Sequence, residues 1–174
     1  MTSVAPDVVR LQDIAPGRLA TLLAGYGLQL EIQAEGESIT GSYWGEDEAG
    51  LVGDTLYVRQ DTPVHSALHE GCHWICMDDT RRGELHTDAG GDYDEENGVC
   101  YLQILLGGAL PEMSMSRMAA DMDAWGYTFR LGSAGAWFRE DALDACQWLE
   151  RRGLVIRVTE RVWFVRHVGV VEFA

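Results

Sequence analysis

The sequence has few basic residues and no long apolar run. Lys and Arg total 13 against 28 Asp and Glu, which gives a formal net charge of −15 at pH 7. Nucleic acids and anionic membranes are polyanions, so this charge argues against either as the main partner. No apolar run approaches the roughly 20 residues of a membrane-spanning helix. A hydrophobic content of 47% is typical of a soluble globular protein.

Cysteines are also few. The chain begins MTSVAPDVVRLQD, which lacks the basic segment followed by an apolar segment that marks a secretion signal. The spacing of the four cysteines does not indicate a disulfide framework; they are Cys72, Cys76, Cys100 and Cys146. We therefore expect reduced thiols and a cytoplasmic protein.

The length and the hydrophobic periodicity predict one α+β domain over residues 1–174. A helix is predicted within residues 13–26, and the alternation in LQLEIQ predicts a strand over residues 28–33. SITGSYWG and DTLYVRQ predict two further strands within residues 38–60, joined by an irregular acidic loop.

The second half of the chain is richer in helical patterns. A helix is predicted from about Pro63 to Met77 and another from Tyr93 to about Leu106, with a polar loop between them. SMSRMAADMDAWGY and REDALDACQWLERRGL also have helical periodicity. LVIRVT and VWFVRHVGVVEF are rich in β-branched residues, which predicts strands and a C-terminal hairpin.

Residues 69–73 read HEGCH, within the helix predicted to begin near Pro63. His69 and His73 are four residues apart, so on a helix their side chains share a face and can converge on one ion. Glu70 lies beside the pair, where a carboxylate can take a proton from a metal-activated water. Zinc lowers the pKa of its bound water to about 7 and polarises a carbonyl under attack. The pattern indicates hydrolytic zinc chemistry.

Alternatives stay open for this stretch. The motif has only three fixed letters, so the two histidines can also be unrelated side chains on a surface helix. His65 precedes His69 by four residues and could pair with it, but His65 and His73 are offset by about 80° around a helix. We expect His65 to pack or to support a ligand. Cys72 and Cys76 lie about 100° from the histidine face and are expected to pack as small hydrophobes.

The third ligand is not fixed by spacing alone. A catalytic zinc usually has three protein ligands and one position for water. In the second predicted helix, Glu95 heads the apolar stripe, where a buried carboxylate needs a cation. Glu96 heads a more polar face that continues through Cys100 and Gln103, which suits solvent contact or support of a ligand. The candidates are Glu95, Glu96, Asp92, Asp94, His86 and the cysteines.

These features resemble the gluzincin metallopeptidases, in which HExxH on one helix is joined by a glutamate from a second helix. The sequence looks most like the compact members that include phage-repressor-cleaving peptidases, whose second helix carries E-x-x-A/G, an aromatic residue and Leu-Leu. Glu95, Gly98, Tyr101 and Leu105–Leu106 match that pattern in register. The resemblance covers roughly residues 55–108.

The resemblance implies a zinc site and a peptidase. Its ligands would be His69, His73 and Glu95, its general base would be Glu70, and its substrate would be a peptide or protein. The alternatives are a catalytically inactive zincin-like domain that binds metal or a protein partner, and an interaction protein without metal whose aromatic C-terminal half forms a binding surface. Aromatic residues at such density are more often core.

The resemblance also implies a fold. It predicts a zincin-like core of about residues 28–108 and an extension of about residues 109–174, with a small, mostly antiparallel sheet against the metal helix. An edge strand, TLYVR or SYWG, would bind an extended peptide. Val99 departs from the family, which has Asp or Asn four residues after the ligand glutamate. Orientation of a ligand histidine is therefore expected from Asp92, Glu96 or Asp61, and the oxyanion donor from Tyr43 or Tyr101.

Overall fold

The N-terminal third of the chain builds a three-stranded sheet against one short helix. The computed structural model describes residues 4–42 and 46–174. A 3-10 turn at Leu11–Asp13 leads to helix α1, Arg18–Ala24. Strands β1, β2 and β3 are Gln29–Ile32, Gly50–Val52 and Thr55–Val58, in the spatial order β1-β3-β2.

This sheet is mixed, which corrects the prediction of a mostly antiparallel one. β2 pairs antiparallel with β3, but β1 pairs parallel with β3, in the register Leu30 to Leu56. β2 runs back along the sheet, so the turn after it lies at the end where β1 begins, and β3 then runs parallel to β1. A tight turn joins β2 to β3, and Gly53 provides its positive φ of 59°.

The predicted strand SITGSYWG is wrong over its described part. Residues 38–42 are irregular, apart from a single bridge between Ser42 and Gly50, and residues 43–45 lie outside the described ranges. Gly50 packs so closely here that a Cβ on it would lie 2.1 Å from the Thr40 carbonyl oxygen. The strand beside β3 therefore begins at this glycine, within the stretch predicted to be an irregular loop.

The helix that carries HEGCH forms as predicted. α2 spans Val64–Cys76, with Pro63 as its N-cap, and it packs on the sheet and on the second predicted helix, α4, Tyr93–Gly107. A short helix, α3, Asp79–Gly83, interrupts the loop predicted between them. The Asp92 side chain caps α4 by accepting a hydrogen bond from the Glu95 backbone N–H, at 2.9 Å.

The C-terminal part is helical and ends in the predicted hairpin. Helix α5 is Met115–Trp125. The helix predicted within residues 139–154 is α7, Leu143–Arg151, and a helix that was not predicted, α6 at Ala134–Glu140, precedes it. An antiparallel sheet follows, with β4, β5 and β6 at Val155–Arg157, Val162–Val165 and Gly169–Glu172.

Helix α4 lies at the centre of one hydrophobic core that joins both sheets. From Gly98 onward its residues are buried on every side, and Leu102, Ile104, Leu105 and Leu106 have no exposed surface. Neighbours surround it because α2, α5 and α7 all pack on it. The described residues form an α+β fold of seven α-helices and two three-stranded sheets. None of these helices has the length and apolar content needed to cross a membrane.

Candidate metal centre

Three side chains from α2 and α4 converge at one point. The Nε2 atoms of His69 and His73 lie 3.2 Å apart. The two carboxylate oxygens of Glu96 lie 3.2 Å from Nε2 of His69 and 3.1 Å from Nε2 of His73. The histidine pair sits one helical turn apart on α2, and the packing of α4 on α2 places Glu96 between the two rings.

The spacing of these atoms fits a metal ion. Ligand atoms bound to zinc at 2.0–2.1 Å in a tetrahedral arrangement lie about 3.3 Å from one another. The three separations are within about 0.2 Å of that value, with Oε1 of Glu96 facing His69 and Oε2 facing His73. Two imidazole nitrogens and a carboxylate are also a donor set that zinc accepts.

The charges of this cluster are strongly coupled. Burial raises the pKa of Glu96, but hydrogen bonds from His69 and His73 outweigh it and hold that pKa far below its usual range. Burial lowers the pKa of His69, but Tyr127, Cys100 and Glu96 raise it well above its usual value. Without a metal the cluster therefore behaves as an imidazolium–carboxylate pair, and a bound cation would replace its proton.

Glu95 is not brought to the histidines. Both of its carboxylate oxygens accept from Nη1 of Arg81, at 3.0 and 2.8 Å, and the residue is buried. Gly91, with φ at 106°, lies against this carboxylate so closely that a Cβ there would be 3.0 Å from the Glu95 Cδ. Arg81 is thus the cation that the buried Glu95 needs, and it also donates to the Ala89 carbonyl, at 2.8 Å.

Gln103 fixes the orientation of His69. Its Nε2 donates to the backbone carbonyl of His65 at 3.0 Å, so its Oε1 is the atom that faces Nδ1 of His69, at 2.9 Å. A carbonyl oxygen only accepts, so Nδ1 carries a proton, and Nε2 is the nitrogen that faces Glu96 and would bind a metal once its own proton is released. For His73, Nδ1 is buried without a partner among the described residues. The orienting contact missing at Val99 is thus supplied to His69 by Gln103.

Glu70 lines a small cavity in front of the cluster. The cavity measures about 260 Å³, and its other lining residues are His69, His73, Glu96 and the loop residues Thr87, Asp88, Ala89 and Gly90. Burial raises the pKa of Glu70, while the positive charge of the two histidines opposes that shift. A carboxylate with a raised pKa beside two imidazoles is suited to accept a proton near neutral pH.

The remaining sequence candidates lie elsewhere. His86 is exposed, with its Nδ1 2.8 Å from the Thr87 hydroxyl, and Asp92 caps α4. Asp94 lines a different, smaller cavity, which α7 also lines. The Tyr101 hydroxyl accepts from the Trp163 indole N–H at 3.0 Å in the core. Tyr43 lies outside the described residues.

Two further residues lie at the site: Tyr127, which was not predicted to have a role there, and Cys100, which the sequence offered only among several candidate ligands. Tyr127 places its ring edge-on to His69, with centroids 5.6 Å apart, and burial raises its pKa to about 12. The Cys100 thiol lies 4.0 Å from Oε1 of Glu96. Glu96, Cys100 and Gln103 repeat at spacings of four and three, which in the sequence marks one helix face. Nothing local in the sequence brings Tyr127 to that face.

His65 packs beside the cluster. It is wholly buried, its ring contacts Trp125 and Tyr127, and its Nδ1 lies 3.3 Å from the Tyr127 hydroxyl. Burial, and then the positive charges of His69 and Arg10, lower its pKa to about 3. His65 is therefore neutral in the folded protein across the physiological range.

This buried neutral histidine makes stability depend on pH. Unfolded His65 binds a proton below about pH 6.5, whereas the folded residue does so only near pH 3, so stability falls as pH falls through this window. In metal-free protein, the free energy of unfolding relative to His65→Phe should fall by about 1 kcal/mol per pH unit. Urea unfolding of both proteins between about pH 4 and pH 7 measures this slope. Parallel curves would show that His65 does not titrate this way.

The sheet edges differ from the prediction for peptide binding. TLYVR forms the central strand β3, which is paired on both sides and cannot accept a peptide as an edge strand. The edge strand β2 is paired with the chain's own loop: the Thr87 N–H donates to the Leu51 carbonyl and the Gly53 N–H to the Leu85 carbonyl, both at 2.9 Å. The segment after α3 thus covers the edge beside the cavity.

Comparison with known proteins reveals no relative. No protein-family model, no curated protein and no solved structure matches the chain. The gluzincin resemblance therefore stays a prediction, and the functional argument depends on the geometry of the site.

Proposed function

We propose that the protein is a zinc-dependent hydrolase that cleaves peptide bonds. The observation that carries this proposal is the convergence of His69, His73 and Glu96 at separations of 3.1–3.2 Å beside the carboxylate of Glu70. In this proposal Glu96, rather than Glu95, is the third ligand. The zincin-like identity of the domain belongs to the same proposal.

Each side chain has a separate task. Zinc, when bound, would supply an acidified water and polarise the scissile carbonyl. His69, His73 and Glu96 would hold the ion, and Gln103 keeps the His69 ring in the tautomer that can bind it. Glu70 would accept the proton of the attacking water and deliver it to the leaving amine.

A second candidate is a metal-binding domain without catalysis. The observation that favours it is the covered edge of β2, where residues 85–87 occupy the position that an extended substrate would use. A peptidase would have to bind its substrate on another surface or displace this segment.

Hydrolysis of a diverse peptide mixture separates the two candidates. Zinc-loaded protein should cleave peptides, and removal of the metal with a chelator should abolish cleavage until zinc is restored. Stoichiometric zinc binding with no cleavage of any peptide would favour the non-catalytic domain. Cleavage that persists in metal-free protein would contradict the proposal.

Gln103 provides a test of how the metal is held. Gln103→Leu removes the acceptor for Nδ1 of His69, and zinc affinity should fall by about 10–100-fold. Gln103→Glu keeps an acceptor at that position and should retain more of the affinity. Competition with a chromophoric chelator measures both. Equal affinity in the leucine variant and the unchanged protein would show that Gln103 does not orient a ligand.

A further inference from the structure

The face of α4 that meets the two histidines carries a second potential ligand. Glu96 and Cys100 are four residues apart on α4, as His69 and His73 are on α2. Two i, i+4 pairs therefore face each other across the contact between the two helices. His69, His73 and Glu96 form the proposed metal site, and the remaining member of the two pairs is the thiol of Cys100.

The thiol lies within reach of the same centre. Sγ of Cys100 is 4.0 Å from Oε1 of Glu96, and the ligand atoms of His69, Glu96 and Cys100 all lie within 4.8 Å of one another. Cys100 is buried, so its sulfur has little access to solvent. Zinc–sulfur bonds of about 2.3 Å place a sulfur about 3.5 Å from its neighbouring ligands, which a small side-chain adjustment would reach.

The other cysteines have different surroundings. Cys72 is fully buried in the hydrophobic core. Cys146 is buried beside the Tyr101 hydroxyl. Cys76 lines a separate cavity at the end of α2, together with Arg82 and Arg152. Among the described cysteines, Cys100 is the one grouped with potential metal ligands.

We propose that Cys100 is the fourth protein ligand of this metal site. The proposal rests on the metal site of the proposed function. On binding, the thiol releases its proton to solvent and its sulfur bonds to the ion, with no change of oxidation state. Four protein ligands close a tetrahedral site, so water and Cys100 compete for the same position. The zinc-bound protein is therefore less active than it would be without this thiol, and its site favours zinc over magnesium or manganese.

Cobalt(II) reports this ligand directly. Metal-free, reduced protein is titrated with cobalt(II), which occupies zinc sites and, unlike zinc, absorbs visible light. The visible absorption bands are intense when cobalt has four ligands, so they report binding by the site as a whole. An additional intense near-ultraviolet band, from thiolate-to-cobalt charge transfer, reports sulfur ligation. We expect both to rise together and to saturate at about one cobalt per chain.

Matched serine variants assign the band. Cys100→Ser should lose the charge-transfer band and keep the visible bands, and Cys76→Ser should keep both. A charge-transfer band that persists in Cys100→Ser, or visible bands without it in the unchanged protein, would overturn the ligation by Cys100 and leave the proposed function standing. No cobalt binding at all would overturn both.

Removal of the thiol tests its competition with water. With zinc bound, Cys100→Ala should hydrolyse peptides at least about tenfold faster than the unchanged protein, because no protein ligand then competes with water for the fourth coordination position. Equal rates in the two proteins would contradict the competition between Cys100 and water.

Discussion

Glu70→Gln is expected to lower the rate of peptide hydrolysis by about 10²–10⁴-fold, the usual contribution of a general base. The amide has nearly the same shape as the carboxylate but cannot accept the proton of the attacking water. The metal ligands are untouched, so zinc content should stay the same. Steady-state hydrolysis of a cleavable peptide, together with zinc analysis of the same preparation, measures both quantities.

Asp88→Asn is the matched control for this prediction. Asp88 lines the same cavity but is exposed, and its Oδ1 accepts from the Gly90 N–H at 2.9 Å. The rate of peptide hydrolysis by Asp88→Asn should stay within a few fold of the rate of the unchanged protein. Full activity in Glu70→Gln would refute the role of Glu70, and equal losses in both variants would indicate a general effect of cavity charge.

Glu96→Ala is expected to weaken zinc binding by at least about 100-fold, more than the loss of a residue that only supports a ligand. The variant removes the carboxylate that lies within 3.2 Å of both histidines. Glu95→Ala should bind zinc almost as the unchanged protein does. It should instead lower the free energy of unfolding by about 1–3 kcal/mol, because Arg81 loses its charged partner.

This pair of variants decides between two neighbouring carboxylates. Zinc affinity and urea unfolding are measured on both proteins, the unfolding without metal. If Glu95→Ala loses zinc and Glu96→Ala retains it, the third ligand is Glu95, as the family resemblance implies. The structural assignment of Glu96 would then be wrong.

The sequence predicted the helices of the site well, because their signals are local. Pro63 at the start of α2 and the carboxylates in the first turn of α4 are features of helix N-termini, and both helices lie within one residue of the predicted bounds. The packing of His65 could also be anticipated, from its offset around the helix. The α+β class follows from the same local periodicities.

The choice between Glu95 and Glu96 could not be predicted in this way. The apolar stripe led by Glu95 would identify the inward face of an amphipathic helix, but from Gly98 onward α4 is buried on every side, so no single stripe marks the face that meets α2. The charge partner of Glu95 is also remote from it in the chain. Arg81 belongs to α3, a short helix in a segment whose sequence indicates only a loop.

Tertiary contacts also decided the sheet and the surroundings of the site. β2 is only three residues long. It forms because Leu51 is buried and because Gly50, which has no side chain, lets the backbone of residues 40–42 pack directly against it. Tyr127 reaches His69 because Gly126 caps the C-terminus of α5, and its φ of 104° turns the chain back toward α2. No periodicity of the sequence encodes either contact.

Zinc analysis of protein purified without chelating resin tests the central claim, that α2 and α4 together hold one metal ion. We expect about one zinc per chain in the unchanged protein and in Glu95→Ala, and less than about a tenth of that in a His69→Ala, His73→Ala double variant. Zinc-free protein that also fails to take up added zinc would contradict the claim. So would a double variant that folds and still retains its zinc.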